Sequence, residues 1–163
     1  MLNRALAIRE RVYGSVQPQV ASTLNELGTM ALAREEFAQA EAFFKRVVAI
    51  YREAYAGKHY LISIGLSNLA SVYMAQKQFA RAEPLLRESM TIYAGTLAPT
   101  HVNVGIGRIK LGRTLLRLGR YREAEVETRS GFDILSKQAN PAVSWLNNAK
   151  ADLAEESKAL KTN

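Results

Sequence analysis

The feature that most restricts how this chain can fold is a period. Tyr121 lies 42 residues after Phe79, which lies 42 residues after Phe37. The same step joins Ala40, Ala82 and Ala124, then Glu41, Glu83 and Glu125, then Leu27, Leu69 and Leu111, and a small residue recurs at Gly28, Ala70 and Gly112. Columns that agree in three copies mark tandem units at 20–61, 62–103 and 104–145, with a partial unit over 1–19 and a capping or partial-repeat helix over 146–163.

Inside a unit the apolar residues follow helical spacing, as in Leu24, Leu27 and Ala31 and then Phe37, Ala40, Phe44, Val47, Val48 and Tyr51. Strand-like alternation is absent. Short polar breaks at 34–36, 76–78 and 118–120 divide each unit into two helices, and Gly119 suits the left-handed residue that ends one. The fold class is therefore all-α, built of antiparallel helix pairs. The small columns let paired backbones approach closely while the aromatic at 37, 79 or 121 fills the space beside them. Tyr121 is accordingly a packing residue. Pro99 and Pro141, between units, suit the first turn of the helix that follows.

Composition bears mainly on what the chain is not. It is 48% hydrophobic and 23% charged, with no apolar run of the roughly 18 residues that a membrane span needs. The expectation is a soluble, cytoplasmic segment with no membrane partner. The absence of cysteine removes disulfides, thiolate metal sites and cysteine nucleophiles. The net charge is +7, and Arg108, Lys110, Arg113, Arg117 and Arg120 fall within 104–120 with no acid among them. Such a block points to an acidic partner.

The segments LNELGTMALAREEFAQAEAFFKRVVAIY, LSNLASVYMAQKQFARAEPLLRESMTIY and IKLGRTLLRLGRYREAEVETRSGF share the leucine, Gly/Ala, aromatic and alanine series. They resemble tetratricopeptide repeats, lengthened from the usual ~34 residues, and ALAIRERVYGSVQPQVASTLNELG is similar to the kinesin-light-chain type. The resemblance implies a right-handed superhelical solenoid whose first helices line a concave, peptide-binding groove. Carried over position by position, the groove residues are Asn25, Thr29, Ser67, Asn68, Ser71, Met74, Lys110, Arg113 and Arg117, flanked by Ser22, Leu32, Ile64, Ile106, Ile109 and Leu116. Asn25 and Asn68 could hold a peptide backbone, since an amide both donates and accepts. Met74, Leu32 and Leu116 could floor the groove.

Lys110, Arg113 and Arg117, at i, i+3 and i+7, form one stripe on one helix face. The family's clamp for a terminal carboxylate fits poorly: Asn68 and Lys110 occupy clamp positions, but Asn25, Thr29 and Ile106 differ from the lysine, asparagine and lysine it needs. Acidic side chains of an internal peptide motif suit Arg113 and Arg117 better. The third unit departs from the pattern: Arg108 replaces Leu24 and Leu66, and Thr128 replaces Phe44 and Leu86, so it should pack less well. In the last helix, Glu155 and Glu156 suit a solvated cap or a seam to a further repeat.

His59 and His101 share a column but sit in successive inter-unit loops, too far apart for one metal ion, so they read as packing at a helix start. The chain shows neither a phosphate-binding glycine loop nor a nucleophile–base arrangement. No metal, cofactor or catalysis is expected. The reading is a scaffold that binds a protein or peptide partner with an acidic segment. The alternatives are sequence-indifferent nucleic-acid binding by the basic surface, which lacks stacking aromatics, and homo-oligomerisation through the exposed ends of the array.

Overall fold

A computed structural model describes residues 8, 11, 12, 14 and 17–162, so most of the partial unit expected over 1–19 lies outside the described residues. Seven helices follow among the described residues: α1 (Pro18–Ala33), α2 (Phe37–Ala54), α3 (Tyr60–Ala75), α4 (Phe79–Thr96), α5 (Val102–Arg117), α6 (Tyr121–Ser136) and α7 (Val143–Thr162). Helices α1 and α2, α3 and α4, and α5 and α6 pack as hairpins, and each second helix packs on the next first helix. The first helices α1, α3, α5 and α7 also pack in succession, whereas the second helices keep their backbones apart and are bridged by long side chains, as in Arg52–Glu88 and Arg87–Glu123. The result is a right-handed superhelical solenoid with its first helices in an inner row.

The residues between paired helices are 34–36, 76–78 and 118–120, and their geometry repeats. Glu35, Lys77 and Gly119 have φ of 60°, 59° and 76°. Behind each, the next amide reaches back five residues, from Glu36 to Ala31, Gln78 to Tyr73 and Arg120 to Leu115, while the left-handed residue itself donates to Leu32, Met74 or Leu116. This pair of hydrogen bonds closes a helix C-terminus by satisfying carbonyls that have no partner within the helix. Only the third copy uses the glycine that the conformation favours.

Two prolines lie outside the positions expected of them. Pro99 and Pro141 sit in the connectors, three and two residues before α5 and α7 begin. The start of α5 is set instead by His101, whose Nδ1 accepts from the amide of Asn103, and the start of α3 by His59, which accepts from Leu61 in the same way. Each imidazole thus acts as an N-cap, which explains the shared histidine column.

The small columns are close approaches. A Cβ on Gly28 would lie 2.7 Å from the Phe44 ring, and one on Gly112 would lie 2.2 Å from Thr128 Oγ1 and 2.9 Å from its backbone nitrogen. Phe44, Leu86, Leu24, Leu66 and Ile62 are the largest fully enclosed apolar side chains of the first two hairpins. The glutamate column ties neighbouring hairpins together: Glu41 accepts from Tyr73 and Arg81, and Glu83 accepts from Arg87 and Arg120. Hydrogen bonds from Lys45 and Tyr73 hold the Glu41 carboxyl below the usual carboxylate range, and at Glu83 burial raises the carboxyl but is outweighed by the hydrogen bonds from Arg87 and Arg120.

Candidate functional site

The inner row brings the expected groove residues together, largely by bonding them to one another. Asn68 donates through Nδ2 to Asn25 Oδ1 at 2.9 Å, linking α1 to α3. One step along, Lys110 Nζ donates to Ser67 O at 3.2 Å and to Ser67 Oγ at 3.0 Å, linking α3 to α5. Thr29 and Ser71 donate back to the carbonyls of Asn25 and Ser67. Met74 is half-buried against the central cluster, as is Leu32, whereas Leu116 is fully enclosed and is no part of a groove floor.

Lys110 is nearly inaccessible to solvent, and burial pulls its ammonium down to about 8. No carboxylate holds it. Its Nζ lies 5.8 Å from the centre of the Trp145 ring of α7, a cation–π separation. Around it is a cleft of about 250 Å³ lined by Ile64, Ser67, Asn68, Tyr93, Asn103, Ile106, Lys110 and Trp145. The sequence pattern singles out neither Asn103 nor Trp145 for this site, because the one comes from the first turn of α5 and the other from the last helix, outside the three repeated units that define the groove columns.

The arginines of the stripe are engaged by the last helix. Arg113 bonds Asp152 at 2.9 Å, a contact in which the Asp152 side chain is only 5% exposed. Arg117 bonds Glu155 at 2.5 Å, with both side chains open to water at 40% and 50%. The other basic residues of 104–120 are also met within the chain: Arg108 pairs with Glu127, and Arg120 with Glu83 and Glu123. The acids absent from α5 itself therefore arrive from α4, α6 and α7. A signal for this was present, since one 42-residue step from Lys110 lands on Asp152 and one from Arg113 lands on Glu155.

Of the two roles considered for the pair, Glu155 takes the solvated one, and Glu156 takes neither, since it packs back against the preceding hairpin. Glu155 stays at the surface, while Glu156 is fully enclosed against α6, where Thr128 donates to its Oε1 at 2.8 Å and its Oε2 has no partner. Desolvation raises the Glu156 carboxyl, helped by Asp152 and Glu125 and opposed by Thr128 and Arg129. Thr128 is thus small because an acid from the next helix enters beside it.

Among the described residues no cluster of His, Asp and Glu could hold a metal ion, and no helix is long and apolar enough to cross a membrane.

A tetratricopeptide repeat model matches residues 1–53 and 61–126. Nearly identical TPR-like repeats of the kinesin-light-chain kind from Podosopora anserina superpose with a TM-score of 0.78 at 23% identity, over 99% of this chain and 76% of theirs. The Sgt2 TPR domain from Aspergillus fumigatus gives a TM-score of 0.66 at 19% identity, over 86% and 79% of the two chains. The first TPR domain of Spaghetti (RPAP3), solved with the HSP90 peptide SRMEEVD, gives 0.67 at 18% identity, over 90% and 97%. At these identities the likeness is one of fold. No curated protein sequence matches the chain.

Proposed function

The chain belongs to the tetratricopeptide repeat family, and from that premise we propose that it is a protein-interaction scaffold whose inner row of first helices takes a peptide segment of a partner. The observation that carries this reading is the continuous row Asn25–Asn68, Ser67–Lys110, Arg113 and Arg117, which presents amides, hydroxyls and guanidiniums along one face. Spaghetti, built on the same fold, holds a peptide with two adjacent glutamates. In this chain the groove residues divide by how firmly they are held. Lys110 is enclosed and bonded to Ser67, and Arg113 is committed to Asp152, whose buried carboxylate would be stranded at a cost of about 3–5 kcal/mol if that pair were given up. Arg117 and Glu155 are exposed, and a pair of that kind contributes only about 0–1 kcal/mol. An acidic side chain of an internal motif would therefore enter at Arg117 by displacing Glu155.

An array of amidated heptapeptides with zero to four acidic residues tests this. Wild-type protein should retain the acidic members, and Arg117→Glu should lower their affinity at least tenfold with helical circular dichroism unchanged. Uniform retention across the array, or acidic preference that survives Arg117→Glu, would overturn the acidic reading. Nucleic-acid binding has less support, since each basic residue of the 104–120 block is engaged inside the chain.

A further inference from the structure

Helix α7 docks through two halves of different chemistry. Its N-terminal half is apolar: Trp145, Leu146 and Ala149 join Ile109 of α5 and Phe132 and Leu135 of α6 in one cluster. Two further α7 side chains are enclosed, Asp152 and Glu156, and both are carboxylates of the C-terminal half. In the preceding first helices the column of Glu156 holds Val72 and Thr114, both fully enclosed and neither ionisable.

The two acids are satisfied unequally. Asp152 has the Arg113 guanidinium at 2.9 Å. Glu156 has only the Thr128 hydroxyl on Oε1, and its Oε2 is buried without a partner. The charged groups that face it are Asp152 on α7 itself, Glu125 and Arg129 on α6, and Arg113 on α5, which Asp152 already holds. An ionised Glu156 is therefore enclosed with no counter-charge of its own, and enclosing it costs far more than enclosing the neutral acid. The same half of α7 covers the cationic end of the inner row, since Asp152 holds Arg113 and Glu155 holds Arg117.

We propose that residues 152–162 form a strap, closed over Arg113 and Arg117 while Glu156 is protonated and released when it ionises. Release brings water to Oε2, and Asp152 leaves with the strap and is hydrated, so Arg113 is freed without stranding a buried carboxylate. The apolar half holds the first turns of α7 in place, so opening runs from the C-terminal side, and a segment of that length does not keep a helix by itself. The sign follows from the direction of the shift. Burial raises the Glu156 carboxyl, so its share of the docking is complete below the ordinary carboxylate value and is lost as pH rises through the raised one. That the uncovered arginines then take an acidic peptide rests on the function proposed above, whereas the strap itself does not.

Hydrogen exchange of the full chain, corrected for the pH dependence of the exchange chemistry, reads the strap without any ligand. From pH 5 to pH 8 the amides of 152–162 should lose at least fivefold in protection while those of 145–149 hold, and Glu156→Gln should remove the change. Equal protection at both pH values, the same loss in Glu156→Gln, or a loss shared by 145–149 would overturn the proposal. Gating is read by fluorescence anisotropy with an amidated acidic heptapeptide, whose affinity should rise at least threefold over that interval in wild type relative to Glu156→Gln. Equal affinities in the two proteins, with the strap seen to open, would overturn the gating. If the strap opens and neither protein binds the peptide at either pH, the strap is supported and the reading of the groove fails.

Discussion

At the scale of single residues, Lys110 shows how a position that reads as a surface cation can be something else. Its spacing with Arg113 and Arg117 puts the three on one helix face, but a face has an edge, and Lys110 lies where α3 and α7 close over it. Burial lowers its ammonium from 10.5 to about 8. Between those values the unfolded chain binds more protons than the folded one, so this residue makes stability rise with pH from about 8 to 10.5. The span amounts to about 3 kcal/mol. Lys110→Met removes the buried charge and two hydrogen bonds, while Ser67 O keeps the bond from Ser71. Each lost bond is worth about 1 kcal/mol. The variant should therefore be more stable than wild type at pH 7 by about 1–2 kcal/mol, and the advantage should vanish or reverse by pH 10.5. Urea unfolding at the two pH values measures this, and an advantage independent of pH would show that the lysine is not desolvated. The histidine column teaches a related lesson: its period is visible in the sequence, but its role as an N-cap depends on a χ1 choice that no spacing reveals.

At the scale of elements, α7 is the instructive case. Its existence follows from apolar spacing, but its register does not, since WLNNA at 145–149 can be aligned with TLNEL at 23–27 or one turn away from it. Ala149 is fully buried, as is Gly107 one period earlier, which places α7 in step with the preceding first helices. In the same frame Glu156 occupies the buried column of Val72 and Thr114. An acid there keeps α7 docked by a hydrogen bond from Thr128 and resists it through desolvation. Because the folded-state carboxyl is raised, its favourable share of stability is complete below the unfolded value and is lost as pH rises through the folded one. Glu156→Gln, which still accepts from Thr128, should stabilise the chain by about 1 kcal/mol at pH 7 and by almost nothing at pH 4. Thermal unfolding at both pH values checks this, and equal gains would assign the effect to packing. The third hairpin, expected to pack less well, does not: Gly105, Gly112 and Gly131 bring α5 and α6 so close that a Cβ on any of them would meet the facing helix within 3 Å, and Arg108 and Thr128 depart from the apolar pattern because a charged partner on another element meets each.

At the scale of the whole molecule, a solenoid is held by contacts between neighbours, so its local stability varies along its length. Helix α3 is packed on four other helices, whereas α7 touches only α5 and α6 among the described residues. The polar contacts of α7 include Arg113–Asp152, Arg117–Glu155 and Thr128–Glu156. Hydrogen exchange read by mass spectrometry should therefore show α7 amides exchanging at least tenfold faster than those of α3. Raising salt to ~0.5 M should widen the gap, since exposed ion pairs are screened. Uniform protection of both helices would mean that α7 is integral to the array rather than its loosest part.

The amino-acid sequence alone determined the period, the two-helix unit, the breaks between helices and the columns that pack, because these depend on spacing along one strand of chain and on side-chain size. Only the tertiary structure decided where the charges go. Arg108, Arg113, Arg117 and Arg120 meet acids 19, 39, 38 and 37 residues away. Attraction between charges depends on distance in space, and stacking places one period of chain within a few ångströms of the next, so a block that reads as an unbalanced cationic patch becomes a row of internal pairs.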